Sequence, residues 1–348
     1  MITTTNMITM TQEASGKKTN SQWTILAGLR FILAVFVSAT HLFNVAPNSL
    51  VVQYFGGLGH AAVMGFFMIS GYSIAASITT RPKGYLSRRF MRIYPAYLFA
   101  VVFCVLLMMA GPLVSPDGQV IHQSSLKLIV QNLLMQQAIW SDALECNRPL
   151  WTLGVEWWCY MAAPMLVRFK GRNLALSGLL IFLSIFFYCR FQLGMRGPND
   201  TVGYYFWNVL FWVSTWVGGF AYYRARSYAA LALMLAPSVI FYNIYLIFPY
   251  TVMLMIACAI IIMVSAKIEI KNKKIREITE WLGDVSYPYY LLHYPLLYAI
   301  TTYTAVRSGS AIIGLIMIMV FFGYYAVTFL AGRDGWLARH SKQRWPGI

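Results

Sequence analysis

Apolar residues recur along this chain in runs close to twenty residues long, separated by short polar stretches. A helix rises about 1.5 Å per residue, so about twenty apolar residues cover a hydrocarbon core of roughly 30 Å. Such runs have no stable place in water. The balance of residues agrees, with 59% hydrophobic, 11% charged and a mean hydropathy of +0.60 over 348 residues. That is about half the charge of a soluble domain. A water-soluble globule is excluded, and the chain reads as all-α, a polytopic integral membrane helix bundle. Spans are expected near 23–45, 54–78, 93–114, 149–167, 173–189, 203–223, 228–245, 249–266, 283–305 and 310–332, ten in all.

The net charge of +16 would suggest nucleic acid in a soluble protein; here the basic residues are sorted by side of the membrane. Threaded through ten spans from a cytoplasmic N-terminus, 21 of the 27 Lys and Arg fall on the inner side and five on the outer, with Arg30 inside the first span. Cytoplasmic loops carry the excess of Lys and Arg, so both termini are expected to be cytoplasmic, and an odd span count would spoil the bias. Residues 1–22 are polar and Thr-rich, without the apolar core or small-residue cleavage site of a signal peptide, and are expected to be a disordered cytoplasmic tail. A transmembrane domain over 23–332 and a cytoplasmic tail over 333–348 complete the division. The five cysteines, Cys104, Cys146, Cys159, Cys189 and Cys258, form no CxxC pair and read as small apolar fillers, so no metal site is expected. The longest connection, about Ser115 to Pro149, lies outside. It carries a polar amphipathic stretch, Ser124 to Gln137, then Asp142 and Glu145, and a connection of that length is commonly functional.

Ionisable groups inside lipid are costly and mark function by default. Here they are Arg30, His41, Glu156 and His293. Arg30 and His41 lie eleven positions apart, about three helical turns plus 20° and a rise of about 16 Å, so they share one face at different depths. A guanidinium in the inner leaflet suits anchoring of phosphate or carboxylate, and an imidazole in the outer half suits proton transfer. The plainer alternative is an arginine that snorkels to headgroups and a histidine that packs at a helix interface. Glu156 alone among the eleven acidic residues lies well inside an apolar run, and a buried carboxylate needs a cationic or imidazole partner. At the inner mouth of the third span, Arg88, Arg89 and Arg92 form a basic cluster, with Arg88 and Arg92 one turn apart. They suit a multiply phosphorylated ligand, or else topology and anionic lipid. Two stretches, Gly65 to Tyr72 and Ser286 to Pro295, are richer in small and polar groups than lipid requires. Pro288 and Pro295 free backbone carbonyls that must be satisfied inside the bundle or by a water-filled cavity.

These features occur in one order: Arg30 and His41 with ten residues between, Phe66-Phe67 through Ser70-Gly71, Arg88-Arg89-x-x-Arg92-Ile93-Tyr94-Pro95, Trp151-Thr152-Leu153-x-x-Glu156, and Ser286-Tyr287 through His293-x-Pro295. In that order, and over the whole chain, the sequence resembles the membrane-bound acyltransferase family 3, O-acyltransferases of bacterial envelope carbohydrates. The resemblance implies transfer of an acyl group, usually acetyl, from acyl-CoA to a hydroxyl of a lipid-linked or exported glycan, in the bacterial inner membrane. It implies acyl-CoA as co-substrate with no resident cofactor. Carried over residue by residue, it gives Arg30, His41 and Glu156 as catalytic candidates and Arg30, Arg88, Arg89 and Arg92 as the coenzyme A contacts. Ser70, Tyr72, Trp151, Tyr287 and His293 are the candidate substrate contacts. Many relatives carry Asp shortly before the Phe-Phe pair, where this chain has Met64. His41 is expected to act as general base for the acceptor hydroxyl, or alternatively His41 or Ser70 carries the acyl group as an acyl-enzyme. A secondary transporter or glycan flippase would use the same intramembrane charges, and an acyltransferase of a small hydrophobic acceptor would share the motifs.

Overall fold

The computed structural model describes residues 4–43, 45–111, 113–114, 120–121, 123–188, 191, 204–245, 249–304 and 306–330. Helices dominate: α1 (Thr4–His41), α2 (Leu50–Phe55), α3 (Gly59–Thr80), α4 (Tyr85–Ala110), α5 (Leu126–Leu133), α6 (Trp151–Leu166), α7 (Gly171–Phe187), α8 (Tyr204–Ala225), α9 (Tyr228–Tyr245), α10 (Pro249–Ser265), α11 (Lys273–Tyr303) and α12 (Gly309–Leu330). A 3₁₀ helix (Glu145–Leu150) leads into α6, and β1 (Leu113–Val114) pairs antiparallel with β2 (Val120–Ile121). Each of the ten apolar segments holds a helix. Among the described residues, three stretches are long and apolar enough to cross a membrane: Ser21–His41, Leu50–Thr80 and Tyr85–Ala110. Gly171–Phe187, Tyr228–Pro237, Thr251–Ser265 and Gly309–Tyr324 are shorter apolar helices. Helix α1 begins at Thr4, ahead of the first apolar run. Helix α11 likewise begins about ten residues before its apolar half, with Asn272 Oδ1 accepting the amides of Lys274 and Ile275.

Two helix pairs set the frame, and each runs parallel. Along α3 and α8, Phe67 meets Trp212, Ser70 meets Trp216 and Tyr72 meets Tyr222. The backbones touch because side chains are absent at the crossing. A Cβ on Gly71 would lie 2.0 Å from the Trp216 carbonyl oxygen, and one on Gly219 2.3 Å from that of Met68. Small residues that allow such approach are the usual means of helix association in lipid. Along α1 and α11, Thr24 Oγ1 donates to Glu280 Oε1 at 2.8 Å, the Phe31 and Tyr289 rings lie 6.0 Å apart, and the His41 and Tyr294 rings 4.6 Å apart.

The long connection is partly buried. The helical part of Ser124–Gln137 is only α5, and beyond it the chain turns into the bundle through left-handed residues Met135 (φ 54°) and Ala138 (φ 69°). Asn132, Gln137 and Asn147 are fully buried. Asn132 Nδ2 donates to the carbonyls of Leu128 and Asp142, and its Oδ1 accepts from the Leu144 amide. Gln137 Nε2 donates to Tyr97 Oη and to the Leu150 carbonyl, and Trp158 Nε1 donates to that of Met135. Closure needs Gly154, where a Cβ would stand 2.3 Å from the Gln137 carbonyl oxygen. The amides face inward because they satisfy loop backbone that no regular element pairs. Cys104, Cys146, Cys159 and Cys258 are buried thiols, and Cys189 lies outside the described residues.

Candidate active site

The intramembrane polar groups gather at two depths. The lower gathering is built on Glu156, half-buried on α6. Its Oε1 accepts the Ser70 hydroxyl of α3 at 2.6 Å and the Tyr160 hydroxyl at 2.5 Å. Trp216 Nε1 of α8 donates in turn to Ser70 Oγ at 3.1 Å. Hydroxyls, rather than the expected cation or imidazole, therefore satisfy this carboxylate directly. Arg30 also lies at this level, near enough for the charges of Arg92, Asp284 and Glu156 to act on it. Tyr287, from α11, reaches the same depth and donates to the Ile93 carbonyl at 3.0 Å.

The three arginines of α4 are not equivalent. Gly84, left-handed at φ 67°, turns the chain so that the carbonyls of Arg81 and Lys83 face the first turn of α4, and the Arg88 guanidinium donates to both. Arg89 is the one turned inward. It is buried, its guanidinium lies 5.8 Å over the Tyr85 ring, and its Nε finds no acceptor. Arg92 is exposed on the outside of its turn yet close enough to bear on Arg30. Arg88 is thus held by backbone carbonyls ahead of α4, while Arg89 and Arg30 both lie toward Arg92 and the Tyr160 side of the bundle.

The upper gathering joins α1 and α11. The His41 ring lies 5.4 Å from that of His293 and edge-on to Tyr294. His293 is fully buried, and its Nδ1 lies 2.6 Å from the Tyr290 carbonyl oxygen. Thr152, one turn before Glu156, donates to the Pro149 carbonyl at 3.0 Å, so the Tyr290 hydroxyl is the donor in its 2.8 Å contact with Thr152. Pro295 has no amide to give the Leu291 carbonyl, and Asn147 Nδ2 donates to it instead at 2.9 Å. The carbonyl that the sequence required to be satisfied is therefore held by the long connection. Outward of this point an aromatic wall forms, with Trp151 5.2 Å and His60 6.4 Å from Trp212.

Arg30, Ser70, Glu156 and Tyr287 thus converge below, and His41 and His293 above. Tyr72 belongs to neither: its hydroxyl accepts from Gln22 Nε2 at 2.9 Å and Arg226 Nη2 at 2.6 Å, tying the inner ends of α1, α3 and α8. Trp151 stands at the outer rim. Met64 is fully buried in α3, packed as core. Tyr160, Trp216 and Asn147 escaped the sequence reading. Tyr160 had a signal, being four residues beyond Glu156 and so on its face; Trp216 and Asn147 had none.

No curated protein and no solved structure matches the chain. The family model Acyl_transf_3, described as an acyltransferase domain, matches residues 23–332, nearly the whole length. With its apolar helices, the chain is a membrane acyltransferase, and it belongs to the Acyl_transf_3 family of acyltransferase domains.

Proposed function

We propose that this protein transfers an acyl group, most simply acetyl, from acyl-CoA to a hydroxyl of an envelope, exported or lipid-linked carbohydrate, with His41 as general base. The observation that carries the reading is the setting of Arg30 and His41. One helix presents both to the bundle interior, at depths about 16 Å apart, and each meets a separate polar gathering. That separation is comparable to an extended pantetheine arm. Arg89, with Arg30 and Arg92, holds the phosphates of a donor arriving from the cytoplasm, since guanidinium forks match phosphate oxygens. The thioester then reaches upward toward His41.

In this mechanism His41 takes the proton as the acceptor oxygen attacks the thioester carbonyl; general-base steps are worth about 10² to 10⁴ in rate. Direct transfer is favoured over an acyl-enzyme on Ser70. Ser70 already receives the Trp216 N–H and gives its own proton to Glu156, which also receives that of Tyr160. Glu156 is a positioning group for the lower level.

Ten crossings with both termini cytoplasmic form part of the proposal. The parallel packing of α1 with α11 and of α3 with α8 supports it, because the first and ninth, and the second and sixth, of ten alternating spans point the same way. The bacterial inner membrane is the proposed location, where cytoplasmic acyl-CoA and outward-bound glycans meet. The test is mass spectrometry of surface glycans from cells with and without the gene, joined to label transfer from acetyl-CoA by their membranes. Loss of one acetyl per sugar, with label transfer present, is the expected result. Membranes that transfer no label but move a glycan would instead identify a flippase, and label found in a small hydrophobic product would replace the carbohydrate acceptor.

A further inference from the structure

His293 has a fixed tautomer. The group facing its Nδ1 is a backbone carbonyl, which can only accept, so Nδ1 carries the hydrogen and Nε2 carries a lone pair. That Nε2 is sealed from solvent and no donor reaches it among the described residues. A buried acceptor without a donor costs about 1 to 3 kcal/mol, so a partner should be within reach. The rings around His293 are those of Tyr289, Tyr290, Tyr294 and His41. The Tyr290 hydroxyl is committed to Thr152, and the Tyr294 hydroxyl lies 3.1 Å from that of Tyr298. His41 remains. Its ring is tilted 31° from that of His293 at 5.4 Å between centroids, a spacing that accommodates one N–H···N hydrogen bond between ring edges.

We propose that His293 is a positioning residue for His41. Its Nε2 accepts the N–H of neutral His41, which fixes the His41 tautomer and turns the other His41 nitrogen, with its lone pair, toward the acceptor hydroxyl. This rests on the acyl-transfer reading given above. In the step itself the acceptor oxygen forms its bond to the acyl carbon, the carbon–sulfur bond breaks, and the hydroxyl proton passes to His41. The departing thiolate recovers that proton as the free thiol. Through the step the His41 N–H stays on His293 Nε2, and the bond strengthens while His41 is an imidazolium, because a charged donor binds a neutral acceptor more tightly. Among the described residues no carboxylate is placed beside His41 or His293, and Glu156 Oε1 takes the Ser70 and Tyr160 hydroxyls. Asn147 supports the arrangement by holding the Leu291 carbonyl two residues before His293.

The experiment measures transfer of radiolabel from acetyl-CoA into membranes of the producing cells by the full-length protein and by His41→Ala, His293→Leu, His293→Gln and the His41→Ala/His293→Leu double variant, each checked for membrane abundance. His293→Leu is expected to lower the rate at saturating acetyl-CoA about 100-fold with an unchanged acetyl-CoA KM. His293→Gln, whose amide oxygen restores an acceptor, is expected to recover about tenfold of that loss. The double variant should be no slower than His41→Ala, because a residue acting only through His41 has nothing left to position. Should His293→Leu fail to reach the membrane, the rate of His293→Gln decides, at about a tenfold deficit from wild type. A His293→Leu rate within about twofold of wild type, a glutamine variant as slow as the leucine one, or losses that multiply in the double variant would each overturn the assignment. If His41→Ala is as fast as wild type, or wild type transfers no label, the acyl-transfer reading itself falls. A dead His41→Ala beside an unaffected His293 variant removes this inference alone.

Discussion

The two depths of the bundle are opposites in how their hydrogen-bonding capacity is used. Below, donors outnumber acceptors: two hydroxyls converge on one oxygen of Glu156, an indole adds a third bond at Ser70, and Arg30 and Arg89 bring further N–H groups. Above, capacity is left over: His293 Nε2 and Asn147 Oδ1 have no donor and the Tyr289 hydroxyl no acceptor among the described residues. A donor-rich interior suits a multiply charged anion that arrives complete and leaves complete. An interior with capacity left over suits a place where a proton changes hands, because its bonds gain strength only when charge develops. The contrast favours the proposed division, with the acyl donor anchored at the lower level and chemistry at the upper.

The largest expected effect breaks the contrast from above. His41→Ala should lower turnover by about 10² to 10⁴ with little change in acetyl-CoA KM, measured by label transfer on protein shown to insert. A rise in KM with turnover intact would place His41 in binding and merge the two levels. Next, Arg89→Ala should raise the acetyl-CoA KM about tenfold, the worth of one lost charge-assisted bond, while Arg88→Ala should leave KM nearly unchanged. The reverse ranking would mean that Arg88 leaves the Arg81 and Lys83 carbonyls to bind the donor. Third, Glu156→Ala should destabilise by about 1 to 3 kcal/mol in thermal unfolding of detergent-purified protein, since Ser70 and Tyr160 lose their acceptor. Glu156→Gln, which keeps a carbonyl oxygen, should lose less. Equal losses would show that charge, not the acceptor geometry, matters there. The smallest is Trp216→Phe. It removes one neutral hydrogen bond to Ser70, worth about 0.5 to 1.5 kcal/mol, and should leave turnover within severalfold if Ser70 carries no acyl group.

What the sequence could disclose followed the reach of local geometry. Arg30 and His41 were legible as a pair because helical periodicity alone fixes their common face, and Tyr160 was there to be read from its spacing to Glu156. Pro295 announced a released carbonyl but not its taker, because Asn147 comes from 144 positions away through a connection whose path no periodicity encodes. The same limit hid Trp216, which reaches Ser70 across 146 positions. The arginines misled for a different reason. Turn spacing put Arg88 and Arg92 together, but the left-handed Gly84 just before α4 offers two carbonyls to Arg88, and a long flexible side chain follows the nearest good acceptors. The ten apolar runs predicted ten helices; the described residues give three that meet the full length and hydropathy of a crossing. Helix α6 shows why. At 16 residues it rises about 24 Å, short of the hydrocarbon thickness, and the inturned connection fills in above it.

Because one uninterrupted helix carries both Arg30 and His41, it works as a ruler as well as a scaffold. The number of residues between them sets the fit: a single inserted residue would swing the imidazole about 100° away from His293 and lift it about 1.5 Å. Length is therefore a constraint on this stretch alongside the packing of Leu33, Ala34 and Val37 in the core.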